Sequence, residues 1–317
     1  MTGEVWRIIS SLSRFTLATF VLVAAFTGTG LAGPYEDGVE AYQRSDFATA
    51  FKRWRPLAGE GNADAQNNIG ELYDNGEGVR QDYAEAVKWY RLAAEQSNSR
   101  AQHNLGVMYY SGHGVPQNYT EAIRWYRFAA EQGEARAQYN LGLMYAKGKG
   151  VYQEFAEAVK WFRLAAAQND RHAQYNLGMM FAEGKGVQQN YAEALKWLQL
   201  AARQNDAFAQ YYLGTMYATG RGVPQDYAAA AGWLRLAAEQ GDVFAQSYLG
   251  TMYAEGKGVQ QDYIQAHLWA SLAAARFAED DTGYGDKTAK LRDWIAARMT
   301  PSQIAAAQKL AQEWTPK

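Results

Sequence analysis

The stretch AQYNLGLMYAKGKGV, Ala137 to Val151, returns as AQYNLGMMFAEGKGV from Ala173 and as AQYYLGTMYATGRGV from Ala209. Six such copies fill residues 65–280, starting at Ala65, Ala101, Ala137, Ala173, Ala209 and Ala245. A tryptophan marks each one: Trp89, Trp125, Trp161, Trp197, Trp233 and Trp269 stand 36 residues apart. A fixed period of this length is the mark of a solenoid, in which each unit packs on its neighbours and no single core is needed.

The spacing within a copy predicts two helices. In the first, Leu141, Met144 and Tyr145 lie at i, i+3 and i+4 and make one apolar stripe. Gly142 recurs as Gly70, Gly106, Gly178, Gly214 and Gly250. A glycine inside a helix costs about 1 kcal/mol against alanine. Its presence in every copy predicts a second helix too close for a side chain. The Gly-x-Gly that follows, Gly148 and Gly150 in the third copy, ends the helix through a left-handed residue. A phosphate loop is the poorer account, because the third glycine and a preceding strand are missing.

The second helix begins behind a cap. Asp82, Asn118, Asn190, Asp226 and Asp262 precede its first aromatic residue, and Glu85, Glu121 and Glu193 complete a capping box after the first three. Glu154 holds this place in the third copy and is a weaker cap. In YTEAIRWYRFAA, residues Tyr119, Ala122, Ile123, Tyr126 and Ala130 share a face. Ser97, Gly133, Asn169, Asn205 and Gly241 suit the turn into the next copy. The tryptophans, constant among copies, are expected in the core. Asn68, Asn104, Asn140 and Asn176 are expected to make one structural hydrogen bond, to loop backbone.

The ends differ from the middle. Residues 33–64 form a short first unit or cap, in which DFATAFKRW from Asp46 matches DYAEAVKWY from Asp82. Pro56 is expected to kink or end its second helix. Residues 281–317 supply two closing helices, the last opened by Thr300, Pro301 and Gln303 as cap, first-turn proline and capping glutamine. Residues 1–32 resemble an export signal: Arg7 and Arg14, then the apolar run FTLATFVLVAAF from Phe15 to Phe26, then small residues with a cleavage point after Ala32. Twelve helical residues cover about 18 Å, short of a bilayer core. Cleavage would leave a periplasmic or secreted protein; an uncleaved anchor, the one expected membrane contact, and a cytoplasmic tail are the alternatives. No cysteine stands at that point to carry a lipid.

The 36-residue unit AQYNLGLMYAKGKGVYQEFAEAVKWFRLAAAQND resembles the Sel-1-like repeat (SLR) family, related to the tetratricopeptide repeats, and MTPSQIAAAQKLAQEW resembles the closing segment of its exported bacterial members. The resemblance implies an all-α fold, a right-handed α/α superhelical solenoid of stacked helix-turn-helix repeats, and a role as an adaptor or regulator that binds a protein or peptide. A cysteine-rich branch of the family is associated with β-lactam hydrolysis. This chain has no cysteine, and no serine has a lysine three residues on.

Composition narrows the rest. A net charge of −2 without a basic stripe argues against nucleic acid. His103, His113, His172 and His267 do not pair at metal-ligand spacing within a helix, so neither metal nor cofactor is expected. First helices in such a solenoid line the concave face, and the positions free of packing fall in three rows. The candidate groove comprises His103, Val107 and Tyr110 in the second copy, then Tyr139 with Leu143, Tyr175 with Met179, and Tyr211 with Thr215. Aromatic and aliphatic residues at free positions predict a contact surface for an extended peptide or a helix. Burial of the tyrosines between adjacent first helices is the competing expectation. The function expected is a non-catalytic adaptor in the cell envelope. An envelope scaffold touching a polysaccharide machine and a cell-wall hydrolase are the alternatives, and the oligomeric state stays open.

Overall fold

The computed structural model describes residues 33–277 and 284–316, and the leader expectation for residues 1–32 lies outside them. Among the described residues there are sixteen helices and no strand. They fall into two compact units, residues 1–134 and 135–317.

The first unit holds α1 (Pro34–Gln43), α2 (Phe47–Gly59), α3 (Ala63–Asn75), α4 (Tyr83–Glu95), α5 (Ser99–Ser111) and α6 (Tyr119–Glu131). Each helix packs on the next in chain order. The second holds α7 (Ala135–Lys147), α8 (Phe155–Ala167), α9 (Arg171–Glu183), α10 (Tyr191–Arg203), α11 (Ala207–Thr219), α12 (Tyr227–Glu239), α13 (Val243–Glu255), α14 (Tyr263–Phe277), α15 (Tyr284–Ala296) and α16 (Pro301–Glu313). Successive helices pack in the same way from α7 to α15, and α16 returns onto α14. No described helix is long and apolar enough to cross a membrane.

The helix glycines sit where two helices touch. A Cβ on Gly106 would lie 2.6 Å from the Tyr126 ring, one on Gly142 2.7 Å from the Phe162 ring, and one on Gly178 2.7 Å from Leu198 Cγ. Large side chains of the second helix therefore lie directly on the first-helix backbone. Tyr90, Tyr126, Phe162, Leu198 and Leu234 occupy this place and are almost fully buried. Trp54 does the same against Gly38 in the short first copy.

These residues, and not the tryptophans, are the centre of the stack. Trp161 and Trp269 are buried, but Trp89, Trp125, Trp197 and Trp233 are half-buried at its side. The series is constant because it sits one residue before the central position, on the edge of the same face.

The Gly-x-Gly loops use both glycines. Gly76, Gly112, Gly184, Gly220 and Gly256 are left-handed caps with φ of 71°, 80°, 70°, 71° and 68°. The second glycine serves a close approach. A Cβ on Gly78 would lie 2.5 Å from the Phe47 backbone, at the start of the preceding second helix. The loop thus seats one copy on the one before it.

Caps form where expected, with two corrections. Asp82 and Asn118 each accept from two backbone N–H groups, at 3.0–3.1 Å. Glu85, Glu121 and Glu193 do not complete a box; they turn to Lys88, Arg124 and Lys196 one turn on, where an opposite charge competes with the backbone N–H. Glu154 makes no side-chain cap. The full box is present at Thr300 and Gln303. Pro56 does not end α2, which runs on to Gly59. A proline there gives up one hydrogen bond near the helix end, and the carbonyl of Pro56 still accepts from Glu60 N–H at 3.0 Å.

A glutamine ladder was missed by sequence reasoning. Gln102, Gln174 and Gln210 are buried and donate to the carbonyls of Ala94, Ala166 and Ala202 at 3.1–3.2 Å. Their own carbonyl oxygens accept from Gln132, Gln204 and Gln240, thirty residues on, at 2.7–2.8 Å. The signal lay in the constant Ala-Gln pair at the head of each copy and the Gln that ends the second helix in the first five copies. The last copy carries Arg276 at the donor position, and Gln246 Oε1 is buried without a partner.

Candidate functional site

The expected groove positions lie on first helices, which the glycine contacts hold at fixed spacing. In the first unit, Val107 and Tyr110 are half-buried on α5, and the Tyr110 ring lies tilted against Tyr119 at 5.3 Å. His103 lies beneath this face: it is buried, packs on Tyr126 at 5.8 Å and faces Asn104 Oδ1 through Nδ1 at 3.2 Å. It sits directly over the closely packed helix pair, which leaves it little water.

In the second unit Tyr139, Leu143, Tyr175, Met179, Tyr211 and Thr215 are all half-buried. Each tyrosine leans on the first helix of the following copy. Tyr139 lies 5.9 Å from His172, Tyr175 5.9 Å from Phe208 and Tyr211 5.9 Å from Phe244. Tyr212 joins Tyr175 and Tyr211, at 5.9 and 5.3 Å, and Phe244 reaches Phe277 at 5.2 Å. The tyrosines are thus neither sealed nor free. Burial pushes the Tyr139 and Tyr175 phenols up from their ordinary pKa.

The open part of this face lies one turn earlier. Phe208 is 49 % and Phe244 40 % exposed. They continue the row Arg100, Arg136, His172 through the copies, three residues before His103, Tyr139, Tyr175, Tyr211 and Ser247. The row does not stand out along the chain as a contact surface, because its first members are charged.

Asn68 and Asn104 bridge neighbouring first helices, where loop backbone was expected. Asn104 Nδ2 donates to Asn67 Oδ1 at 3.1 Å and to Glu71 Oε1 at 3.3 Å, and Asn68 Nδ2 donates to Tyr35 Oη at 3.2 Å. Asn176 donates to the His172 carbonyl at 2.8 Å and also bonds Tyr139. Asn68 and Asn104 point along the stack, so the neighbouring first helix is the nearer partner.

Asp74, at the place of Tyr110 in the first copy, is half-buried and accepts from Tyr90 Oη at 3.3 Å. Desolvation, with Glu71 nearby, raises its pKa to about 6 against the hydrogen bond from Tyr90. Among the described residues no group of three His, Asp or Glu could hold a metal ion. His172 and Asp206 pair at 3.4 Å beside Tyr139.

Repeated helix pairs, glycine-seated contacts and an aromatic first-helix face define an all-α, right-handed α/α solenoid of helix-turn-helix repeats. The Sel1 repeat family model matches residues 63–98, 99–134, 135–170, 171–206, 207–242 and 243–276, and the chain belongs to that family. Its members are protein–protein interaction scaffolds. Among solved structures, a Sel1 repeat protein from Oxalobacter formigenes is 36% identical, with a TM-score of 0.70; the likeness covers 76% of this chain and 99% of that one. The protective antigen c5321 of uropathogenic Escherichia coli, which displays an SLR fold, is 27% identical over 89% of this chain and 83% of that one, with a TM-score of 0.47. No curated protein matches the chain.

Proposed function

We propose that the chain is a non-catalytic adaptor of the cell envelope, which holds a partner protein along the aromatic first-helix face of its second unit. The observation that carries this is the exposure of Phe208 and Phe244 beside the half-buried Tyr175 and Tyr211. Large aromatic side chains left open to water in a row favour a contact surface. Tyrosine adds a polar tip and loses little entropy on binding. The half-buried rings supply a rigid floor, and the exposed rings supply the new contact. Residues 1–32 act in this account as a cleaved leader that takes the chain to the envelope.

The test is a photo-reactive benzoylphenylalanine at Phe208 of the full chain in its own cells. A discrete crosslinked protein is expected there and not from the same group at Tyr152, which is 91 % exposed on a loop. Phe208→Ala with Phe244→Ala should abolish capture by a probe at Met179 and leave the melting temperature within a few degrees. Absence of an adduct at Phe208, or capture unaffected by the double substitution, defeats the groove. A mature chain whose mass does not begin at Gly33 defeats the leader.

A further inference from the structure

The loop of the third copy, between α7 and α8, departs from the others at three neighbouring places. Tyr152 stands where the other copies carry Arg80, Pro116, Gln188, Pro224 and Gln260. Glu154 holds the cap position, and Phe155 replaces the tyrosine that opens the second helix elsewhere.

Each change removes a bond that closes the loop in other copies. Asp82, Asn118 and Asp226 turn onto the first backbone N–H groups of their helices at 2.9–3.1 Å. Glu154 makes no such bond, so its carboxylate stays outside the helix. Gln81, Gln189, Gln225 and Gln261 donate to the tyrosine hydroxyl two residues on, at 3.0–3.2 Å. Phe155 has no hydroxyl, and Gln153 keeps the Ala146 carbonyl at 2.8 Å. Tyr152 is 91 % exposed, and its ring packs on no other ring among the described residues.

An open cavity of about 880 Å³ lies at this loop, within the range of small-molecule sites. Its lining includes the buried Tyr145, Val151, Tyr152 and two carboxylates, Glu154 and Glu157. No described lysine or arginine lines it. The carboxylates stand three residues apart, at the cap and in the first turn of α8. Glu157 already holds one alkylammonium, Lys160 Nζ at 3.4 Å, on an exposed pair. The N-terminus of α8 carries about half a positive charge, which two carboxylates exceed. Negative charge beside an open aromatic ring face suits an organic cation.

We propose that the cavity at Tyr152, Glu154 and Glu157 binds a small aliphatic diamine. One ammonium group pairs with Glu154 and the other with Glu157, in place of Lys160. The methylene chain lies along Val151 and Tyr152, whose ring face adds a cation–π contact. The site shares no residue with the aromatic first-helix face, and a free diamine needs no partner protein at Tyr152.

The probe is 1,4-diaminobutane, titrated into the full chain and followed by saturation-transfer NMR and calorimetry. Binding that saturates in the low millimolar range is expected, because exposed ion pairs are individually weak. Tyr152→Gln, the residue of the fourth and sixth copies, should weaken it about three- to fivefold. Glu154→Asp restores the cap and withdraws the carboxylate. It should raise the melting temperature and yet weaken binding, which separates the site from the fold. Lys160→Met frees Glu157 and should tighten binding, while Lys196→Met, the same charge change at the Glu193 pair, leaves it unchanged. The proposal is overturned by absence of saturation or by binding that neither Tyr152→Gln nor Glu154→Asp weakens. Equal effects of the two lysine substitutions mark attraction to the acidic chain as a whole and overturn it too. Butylamine that binds as tightly as the diamine shows that one ammonium group suffices, as on a lysine side chain of a protein, and also overturns it.

Discussion

Asp74 shows how a single position can depart from the repeat. The same place is Tyr110, Ala146, Ala182, Ala218 and Ala254 in later copies. A half-buried carboxyl whose folded pKa is about 6 holds its proton more firmly than in the unfolded chain. Its favourable contribution is complete below about pH 4 and disappears as the pH rises through about 6. Asp74→Asn should therefore raise stability at pH 7–8 by on the order of 2 kcal/mol. It should also flatten the loss of stability between pH 4 and 6, measured by urea unfolding across that range. The exception at Asp74 was visible in the sequence; its partial burial against Tyr90 was not, because depth depends on how the helices pack.

Between helices, the glycines separate contact from mere tolerance. Gly142→Ala should lower stability by about 1–3 kcal/mol, since the new methyl drives the Phe162 ring off the α7 backbone. Gly232→Ala should do the reverse, gaining about 1 kcal/mol of helix propensity at no steric cost. Thermal melts of the two variants give shifts of opposite sign. The glutamine ladder makes a second prediction. Gln174→Leu removes one of the two bonds to the Ala166 carbonyl, which keeps Asn169 N–H, and one acceptor of the Gln204 amide, which keeps Asn169 Oδ1, and should cost about 1 kcal/mol in urea unfolding. Recurrence announced that Gly142 mattered and what for, because close approach is the usual reason for glycine inside a helix. Recurrence of Gln174 gave no such hint. A glutamine in a helix is ordinary, and only the packing puts its amide against the end of the preceding helix.

At the scale of the molecule, the repeats within each unit pack on neighbours one place away. Removing residues 207–242, one whole period within the second unit, joins Asp206 to Val243 with the register kept. Asp206 then caps α13 as Asp242 does now, through the backbone N–H of Ala245. Such a chain should fold with unchanged helical content per residue in circular dichroism and unfold cooperatively. It should also lose Phe208 and with it part of the proposed groove. Removal of half a period should instead collapse the second unit, because it pairs two helices of the same kind.

The period of 36 residues, the helix pair within it, the glycine contacts, the caps and the closing Thr300 box were decided by local chemistry that each copy carries in full. That is why they were legible along the chain. Which face of each helix meets water was decided only by stacking. Four of the six tryptophans slid to the edge of the core, His103 sank beneath the first-helix face, and the tyrosines came to rest half-covered by the next copy. The open aromatics are Phe208 and Phe244, one turn earlier. A position in an array is buried or exposed according to the neighbour laid upon it, and the angle between neighbours is a property of the packed helices as a set.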